Sequence, residues 1–237
     1  MKVTHIDLGI MNYRDAWQKQ GSLMEKLKKE KSEGKEGLNY LLFVEHPHVY
    51  TLGKNGNQAN LLINTVQLAT DSVEFIKVDR GGDITYHGPG QLVVYPIFCL
   101  NDFRTGVKEY VRRLEEVVIR TIAGYGLRGE RLEKATGVWL DVNKSGVRKI
   151  CAIGVRCSQS ITMHGFALNV NTDLNYFNFI NPCGFVDKGV TSMAKETGKT
   201  INIDEVKSFV LQYFKEIFAI EFIAANALNT IDSLLKM

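Results

Sequence analysis

The sequence predicts an α/β fold of the α+β type: a single domain whose mixed, largely antiparallel sheet is flanked by helices. Three observations carry this expectation. Strand-like apolar runs fill the middle of the chain, amphipathic helical patterns bracket them, and no internal repeat or Pro- or Ser-rich linker divides the 237 residues. A chain of that length buries a substantial core.

The elements follow in order. Residues 15–31 read as a helix, with Ala16, Trp17, Leu23, Met24 and Leu27 on one side. The mixed-sign stretch 28–37 closes on glycines and reads as a solvated helix end and loop. Residues 40–45 form a continuous apolar run before a turn at His46-Pro47, which suits a buried strand. Residues 73–78 and 91–98 also read as strands. Thr105 is the expected N-cap of a helix over 106–123, where Val107, Tyr110, Val111, Leu114, Val117 and Val118 recur at helical spacing and Gly124 and Gly126 stop it. Strands are expected over 135–142, 148–157 and 164–170. A helix over 204–218 turns Val206, Phe209, Val210, Tyr213, Phe214 and Ile217 to the core, and a second short helix is expected over 224–235.

Composition excludes several function classes. The longest apolar runs fall far below the roughly 18 residues of a membrane span, and the first seven residues turn polar too early for a secretory segment. With 29 Lys and Arg against 26 Asp and Glu, a net charge of +3 does not argue for nucleic acid, although it leaves room for a local basic patch. The four cysteines, Cys99, Cys151, Cys157 and Cys183, show no CxxC spacing, so reduced thiols in a cytosolic protein are the expectation.

Residues 80–91 are the densest unusual segment, with Arg80, Gly81, Gly82, Asp83, Ile84, Thr85, Tyr86 and His87 followed by Gly88 and Gly90. Glycines let a ligand approach the backbone, and the polar side chains supply contacts. The segment is neither a Walker loop nor a dinucleotide fingerprint, because GK[ST] is absent and a strand follows. Its plain alternative is a long hairpin turn that satisfies its own backbone. His46 and His48 form an HxH pair beside Glu45, but two ligands interrupted by Pro47 do not make a metal site. Cys183 lies between Pro182 and Gly184 in a tight turn that can present a thiol to a pocket. A thiol of ordinary pKa is only a few per cent ionised at neutral pH and needs a neighbouring cation or base to act as a nucleophile. Lys149, inside an apolar strand, is the candidate partner; otherwise it is a strand-end lysine reaching water. Strand alternation puts Lys149 and Cys151 on one side, so on pattern alone Cys151 competes with Cys183.

Taken in order, these segments resemble the lipoyl(octanoyl) transferase family. The resemblance rests on Glu45-His46-Pro47 with Tyr50-Thr51-Leu52-Gly53, on residues 80–91, and on Gly137-Val138-Trp139. It continues through Lys149 with Ala152-Ile153-Gly154-Val155-Arg156, Met163-His164-Gly165-Phe166-Ala167-Leu168-Asn169, Asn181-Pro182-Cys183-Gly184 and Gly189-Val190-Thr191-Ser192. It implies a cytoplasmic acyltransferase that moves an octanoyl or lipoyl group from acyl carrier protein to a lipoyl-domain lysine, the first step of endogenous protein lipoylation. Cys183 would carry the acyl group as a thioester and Lys149 would tune its pKa. Cys151 stands where the family commonly has small residues, which tips the competition to Cys183. The acyl pocket would comprise Arg80, Gly81, Gly82, Asp83, Ile84, Thr85, Tyr86, His87, Ala152, Ile153, Gly154, Gly165, Phe166 and Ala167.

The resemblance further implies a fold related to the biotin and lipoate protein ligases, with residues 1–223 as the catalytic domain and 224–237 as a C-terminal extension. It implies no cofactor, metal, nucleic acid or membrane partner, and a monomer. The acceptors would be lipoyl domains of 2-oxoacid dehydrogenase complexes and the glycine cleavage H protein. Two alternatives stand beside it: an ATP-dependent lipoate or biotin protein ligase, and a non-catalytic acyl- or carrier-binding module.

Overall fold

The structure, a computed structural model, describes residues 1–63, 73–181 and 188–223. The chain begins with strand β1 (Lys2–Ile10), helix α1 (Tyr13–Ser32), and strands β2 (Asn39–Glu45) and β3 (Val49–Leu52). Next come β4 (Glu74–Lys77), β5 (Ile84–His87), β6 (Gln91–Ile97) and helix α2 (Val107–Ala123). Strands β7 (Glu130–Leu132), β8 (Ala135–Leu140), β9 (Arg148–Ser158), β10 (Ile161–Asn169) and β11 (Gly189–Val190) follow. Helices α3 (Met193–Thr197) and α4 (Ile203–Phe218) and strand β12 (Glu221–Ile223) complete the described chain. The short helix expected over 224–235 lies outside the described residues.

Among the described residues the main sheet runs β12-β1-β2-β6-β10-β9-β8-β7, with β11 added beside β9. It is mixed: β1 lies parallel to β2 and β12, and β11 parallel to β9, while the central pairings from β2 to β7 are antiparallel. Alternation along β2 explains its unbroken apolar run. Leu41 and Phe43 enter the core formed with α2 and α4, while Tyr40, Leu42 and Val44 pack under α1. Strand β6 divides in the same way, Leu92 and Val94 against Val93, Tyr95 and Ile97. A sheet buried on both faces shows no polar alternation, so periodicity alone could not orient it.

A second sheet, β4-β3-β5, packs its own cluster of Tyr50, Leu52, Val73, Ile84, Tyr86 and Ile180. Strands β1, β3, β5, β7, β11 and β12 and the short helix α3 are additions to the elements expected from sequence. The segment 80–91 is not one long loop: after Asp83 it enters β5, which pairs antiparallel with β3 from Leu52↔Ile84 to Val49↔His87. Helix α2 starts one residue later than expected, with Gly106 in the cap position and no side-chain cap; Thr105 makes only a long 3.5 Å bond to Gly106 O. Helix α4 is properly capped, since Asn202 Oδ1 accepts from the Asp204 and Glu205 amides. Among the described residues no helix is long and apolar enough to cross a membrane.

Candidate active site

A cavity of about 440 Å3 opens between the two sheets, within the roughly 300–1,000 Å3 range of small-ligand sites. Residues 152–155 of β9 and 164–167 of β10 form one wall. There Gly154 pairs with Gly165 and Ala152 with Ala167, so the two cross-strand pairs on either side of Ile153↔Phe166 carry almost no side chain. The opposite wall is residues 80–85 and His87, while Lys149, Trp139, Lys134 and Lys188 stand at another side. The structure therefore places Lys149 and all but one of the expected described pocket residues around one space.

The exception is Tyr86. Thr85 and His87 meet the cavity, but Tyr86 lies between them on β5 and takes the other face. Its ring stacks on Tyr176 at 4.8 Å and its hydroxyl is hydrogen-bonded to His48 Nδ1 at 2.6 Å. Tyr86 is thus a packing residue of the small sheet. Its hydroxyl also occupies the space a side chain at Gly88 would need, as a Cβ there would stand 1.9 Å from Tyr86 Oη.

Lys149 reaches the cavity through an irregularity. Strand β8 pairs Val138 with Cys151 but Trp139 with Lys149, so one step along β8 matches two along β9, and Ile150 is the extra residue of a β-bulge. Regular alternation would have put Lys149 and Cys151 on one face. The bulge separates them: Ile150 and Cys151 are both fully buried in the core with α2 and α4, whereas Lys149 lines the cavity. Burial pushes the Cys151 thiol far up, away from ionisation. Cys151 therefore lies in the core, apart from the cavity that Lys149 lines. Lys149 Nζ lies 4.5 Å from the centre of the Trp139 ring.

At the opposite end of β9 the glycines explain themselves by close approach. Gly81 N donates to Val155 O at 3.0 Å, bringing the 80–83 segment directly onto β9. A Cβ on Gly154 would stand 2.7 Å from Gly81 O, and one on Gly53 2.4 Å from Gly82 O. Arg80 is buried between these strands and donates through Nη2 to Thr51 O and Oγ1 at 2.8 and 2.9 Å, and through Nη1 to Gly81 O at 3.0 Å. Asp83 also holds the loop's root, accepting from Asn60 Nδ2 at 2.6 Å and its neighbour Ile84 N at 2.7 Å.

Three buried histidines surround this end. His87 donates from Nδ1 to Gln91 Oε1 at 2.8 Å, and Gln91 Nε2 donates to Tyr86 O and to Asn169 Oδ1. Burial holds its pKa well below the ordinary value. His46 donates from Nδ1 to Met11 O and accepts at Nε2 from Tyr95 OH, both at 2.7 Å, and burial brings its pKa down to about 4. His46 and His48 thus bond different neighbours, and the described residues hold no metal-binding cluster of three or more such side chains. His164 donates from Nε2 to Asp79 Oδ1 at 2.8 Å, while Arg156 pairs with Asp79 Oδ2. The hydrogen bond from His164 draws the Asp79 carboxyl down, and burial lowers His164 despite that partner.

Sequence reasoning missed Tyr13, Tyr95, Trp139, His164 and Asn169 as cavity residues. Only His164 carried a local signal, a histidine beside Gly165 within an apolar strand. Cys183 lies outside the described residues.

Residues 12–215 match the model of the lipoyl protein ligase A/B catalytic domain. The chain belongs to this family. A curated octanoyltransferase of Bacteroides thetaiotaomicron is 54% identical over 207 residues, covering 87% of this chain and 91% of the relative. An octanoyltransferase of Christiangramia forsetii is 53% identical over 222 residues, covering 91% and 95%. The fold also matches the solved bipartite lipoate protein ligase of Thermoplasma acidophilum, with a TM-score of 0.73 at 18% identity, covering 100% of this chain and 91% of that one.

Proposed function

We propose that the chain transfers an octanoyl group from acyl carrier protein to the target lysine of a lipoyl domain, with Cys183 as nucleophile and Lys149 as its ionic partner. The chain is an acyltransferase of the lipoyl protein ligase A/B family, and such transfer takes acyl carrier protein as donor and lipoyl domains as acceptors. The observation that carries the reading is Lys149, turned by a β-bulge into a cavity walled by glycine and alanine pairs. Such a wall admits an unbranched acyl chain along the strand backbones, and the lysine stands where the chain's reactive end can be met. Lys188 and Val190, which follow Cys183 by five and seven residues, line the same cavity, and Val190 pairs with Lys149.

The reaction divides into two acyl transfers. Cys183 passes its proton to Lys149, the thiolate attacks the thioester carbonyl, and the carrier leaves as its free thiol by taking that proton from Lys149, which is left neutral. Lys149 as an ammonium favours the thiolate in this half. The acceptor lysine amine then attacks the acyl-enzyme, an amide forms, and Cys183 Sγ departs as a thiolate beside the ammonium that Lys149 becomes. Lys149 in its neutral form receives the proton of that amine. The acceptors are the lipoyl domains of 2-oxoacid dehydrogenase complexes and the glycine cleavage H protein.

Intact-mass analysis after mixing with octanoyl-carrier protein, without ATP, tests the assignment. One octanoyl adduct is expected, absent in Cys183→Ser and slowed at least about a hundredfold in Lys149→Ala, the scale of a lost proton-transfer or ionic partner. A lipoyl-domain product that forms only when ATP is supplied would make the protein an ATP-dependent ligase. An adduct that never passes to a lipoyl domain would leave only a binding module.

A further inference from the structure

Lys149 does not stand alone at its end of the cavity; strand β8 builds a seat for it. Gly137 has φ +126°, and a Cβ there would stand 2.5 Å from Cys151 O and 3.5 Å from Lys149 Cε. Its bare Cα therefore makes room for the lysine stem, and its amide is fixed by Glu115 of α2, whose Oε1 accepts from Gly137 N at 3.2 Å. Glu115 is held in turn by Arg131 Nε, which donates to Oε2 at 3.0 Å. Two residues on, Trp139 is almost fully buried, donates from its indole Nε1 to Ala135 O at 2.9 Å, and meets Lys149 Nζ with its ring face. The indole bond sets the ring's orientation within its own strand, so the π-face is in place before any ligand arrives.

We propose that Trp139 is a positioning residue for the transfer: its ring holds Lys149 Nζ at the cavity and favours the ammonium over the free amine. This rests on the role given to Lys149 above. An aromatic face attracts a cation and not a neutral amine, most strongly when the pair is shielded from water. Among the described residues, the other charged groups near the lysine pull in both directions. Lys134 and Lys188 line the same cavity and oppose a third positive charge, whereas Glu115 lies beneath Gly137. Arg148, the preceding residue, is occupied by Asp141 and Glu196. The Cys151 thiol stays protonated.

The sequence contains two tryptophans, so fluorotryptophan incorporation in a Trp17→Phe background changes Trp139 alone and leaves its shape nearly intact. The readout is the pH profile of acyl-enzyme formation from octanoyl-carrier protein, whose descending alkaline limb reports loss of the lysine proton. From mono- to tetrafluorotryptophan that limb should move stepwise to lower pH, by about one unit in all, equivalent to a tenfold shift in the lysine's proton affinity. The thermal midpoint should stay within about 2 °C across the series, a range set by small changes in packing. Trp139→Leu should lower the rate at neutral pH about tenfold. A limb that does not move with fluorination, while Lys149→Ala abolishes the adduct, overturns the proposal and leaves the lysine's role intact. Wild-type acylation by Lys149→Ala at every pH would instead remove the lysine itself, and with it the reason for a seat.

Discussion

The two ends of β9 meet the same cavity by opposite means. At the Lys149 end a bulge adds one residue, turns a side chain out of the core and supplies a charge. At the Gly154 end side chains are withheld, and the backbone of residues 80–82 docks directly onto the strand through Gly81 N and Val155 O. Under the proposed function, one end does the chemistry and the other encloses. The difference teaches that glycine and lysine in neighbouring strand positions answer to different constraints: close approach of backbone in one case, a broken alternation in the other.

The enclosing end is the more fragile, and the largest effect should come from there. Gly165→Ala places a Cβ 2.1 Å from the Val94 carbonyl oxygen, a backbone atom that cannot swing aside. The variant should lose about 3 kcal/mol or more of stability, the upper range of overpacking costs. Chemical denaturation measures this directly. A midpoint equal to wild type would mean that the strands there separate freely, and the distinction between the two ends would lose its basis.

Acid should attack the same end next. The His46 pKa is brought down by burial to about 4, below its value in an unfolded chain of about 6.5. As pH falls below 6.5 the unfolded chain takes up the proton first, so the stability that neutral His46 contributes is present above pH 6.5 and lost between 6.5 and about 4. That shift corresponds to about 3 kcal/mol. His87 and His164, also lowered by burial, carry the same sign. Urea unfolding at pH 7 and pH 4.5 should show the loss, reduced in His46→Gln. An identical pH dependence in that variant would place the acid-sensitive group elsewhere.

The smallest effect should be Cys151→Ala at the chemical end. The thiol is buried behind the bulge, so its removal should cost about 1 kcal/mol as a small core truncation and leave octanoyl adduct formation unchanged. Loss of the adduct in Cys151→Ala, with the protein folded, would reverse the assignment of faces made by the bulge.

Several features of this molecule were legible before any coordinates. The α1, α2 and α4 patterns follow the 3.6-residue period because each helix has one buried stripe, and the central strands follow from apolar runs bounded by turn residues. Motif order along the chain was also enough to indicate the family and to nominate the two facing stretches of the cavity wall. Strands β3 and β5 were harder, since each spans only four residues and β5 is embedded in glycines that read as a loop. Tyr86 was misplaced for a related reason: a motif names a run of residues, whereas a strand sends alternate ones to opposite faces.

What no local pattern could decide is the side on which Lys149 emerges. Alternation gives a definite answer, and that answer is wrong here, because the extra residue at Ile150 is visible only against the register of β8. The pairing of Asp79 with His164, 85 residues apart, and the approach of Tyr13 to His87 likewise exist only once the sheets are stacked. Composition and period determine which residues prefer burial and in what local shape, since those preferences act between near neighbours. Facing, register and partners across the cavity arise from contacts between distant segments, and so belong to the tertiary structure.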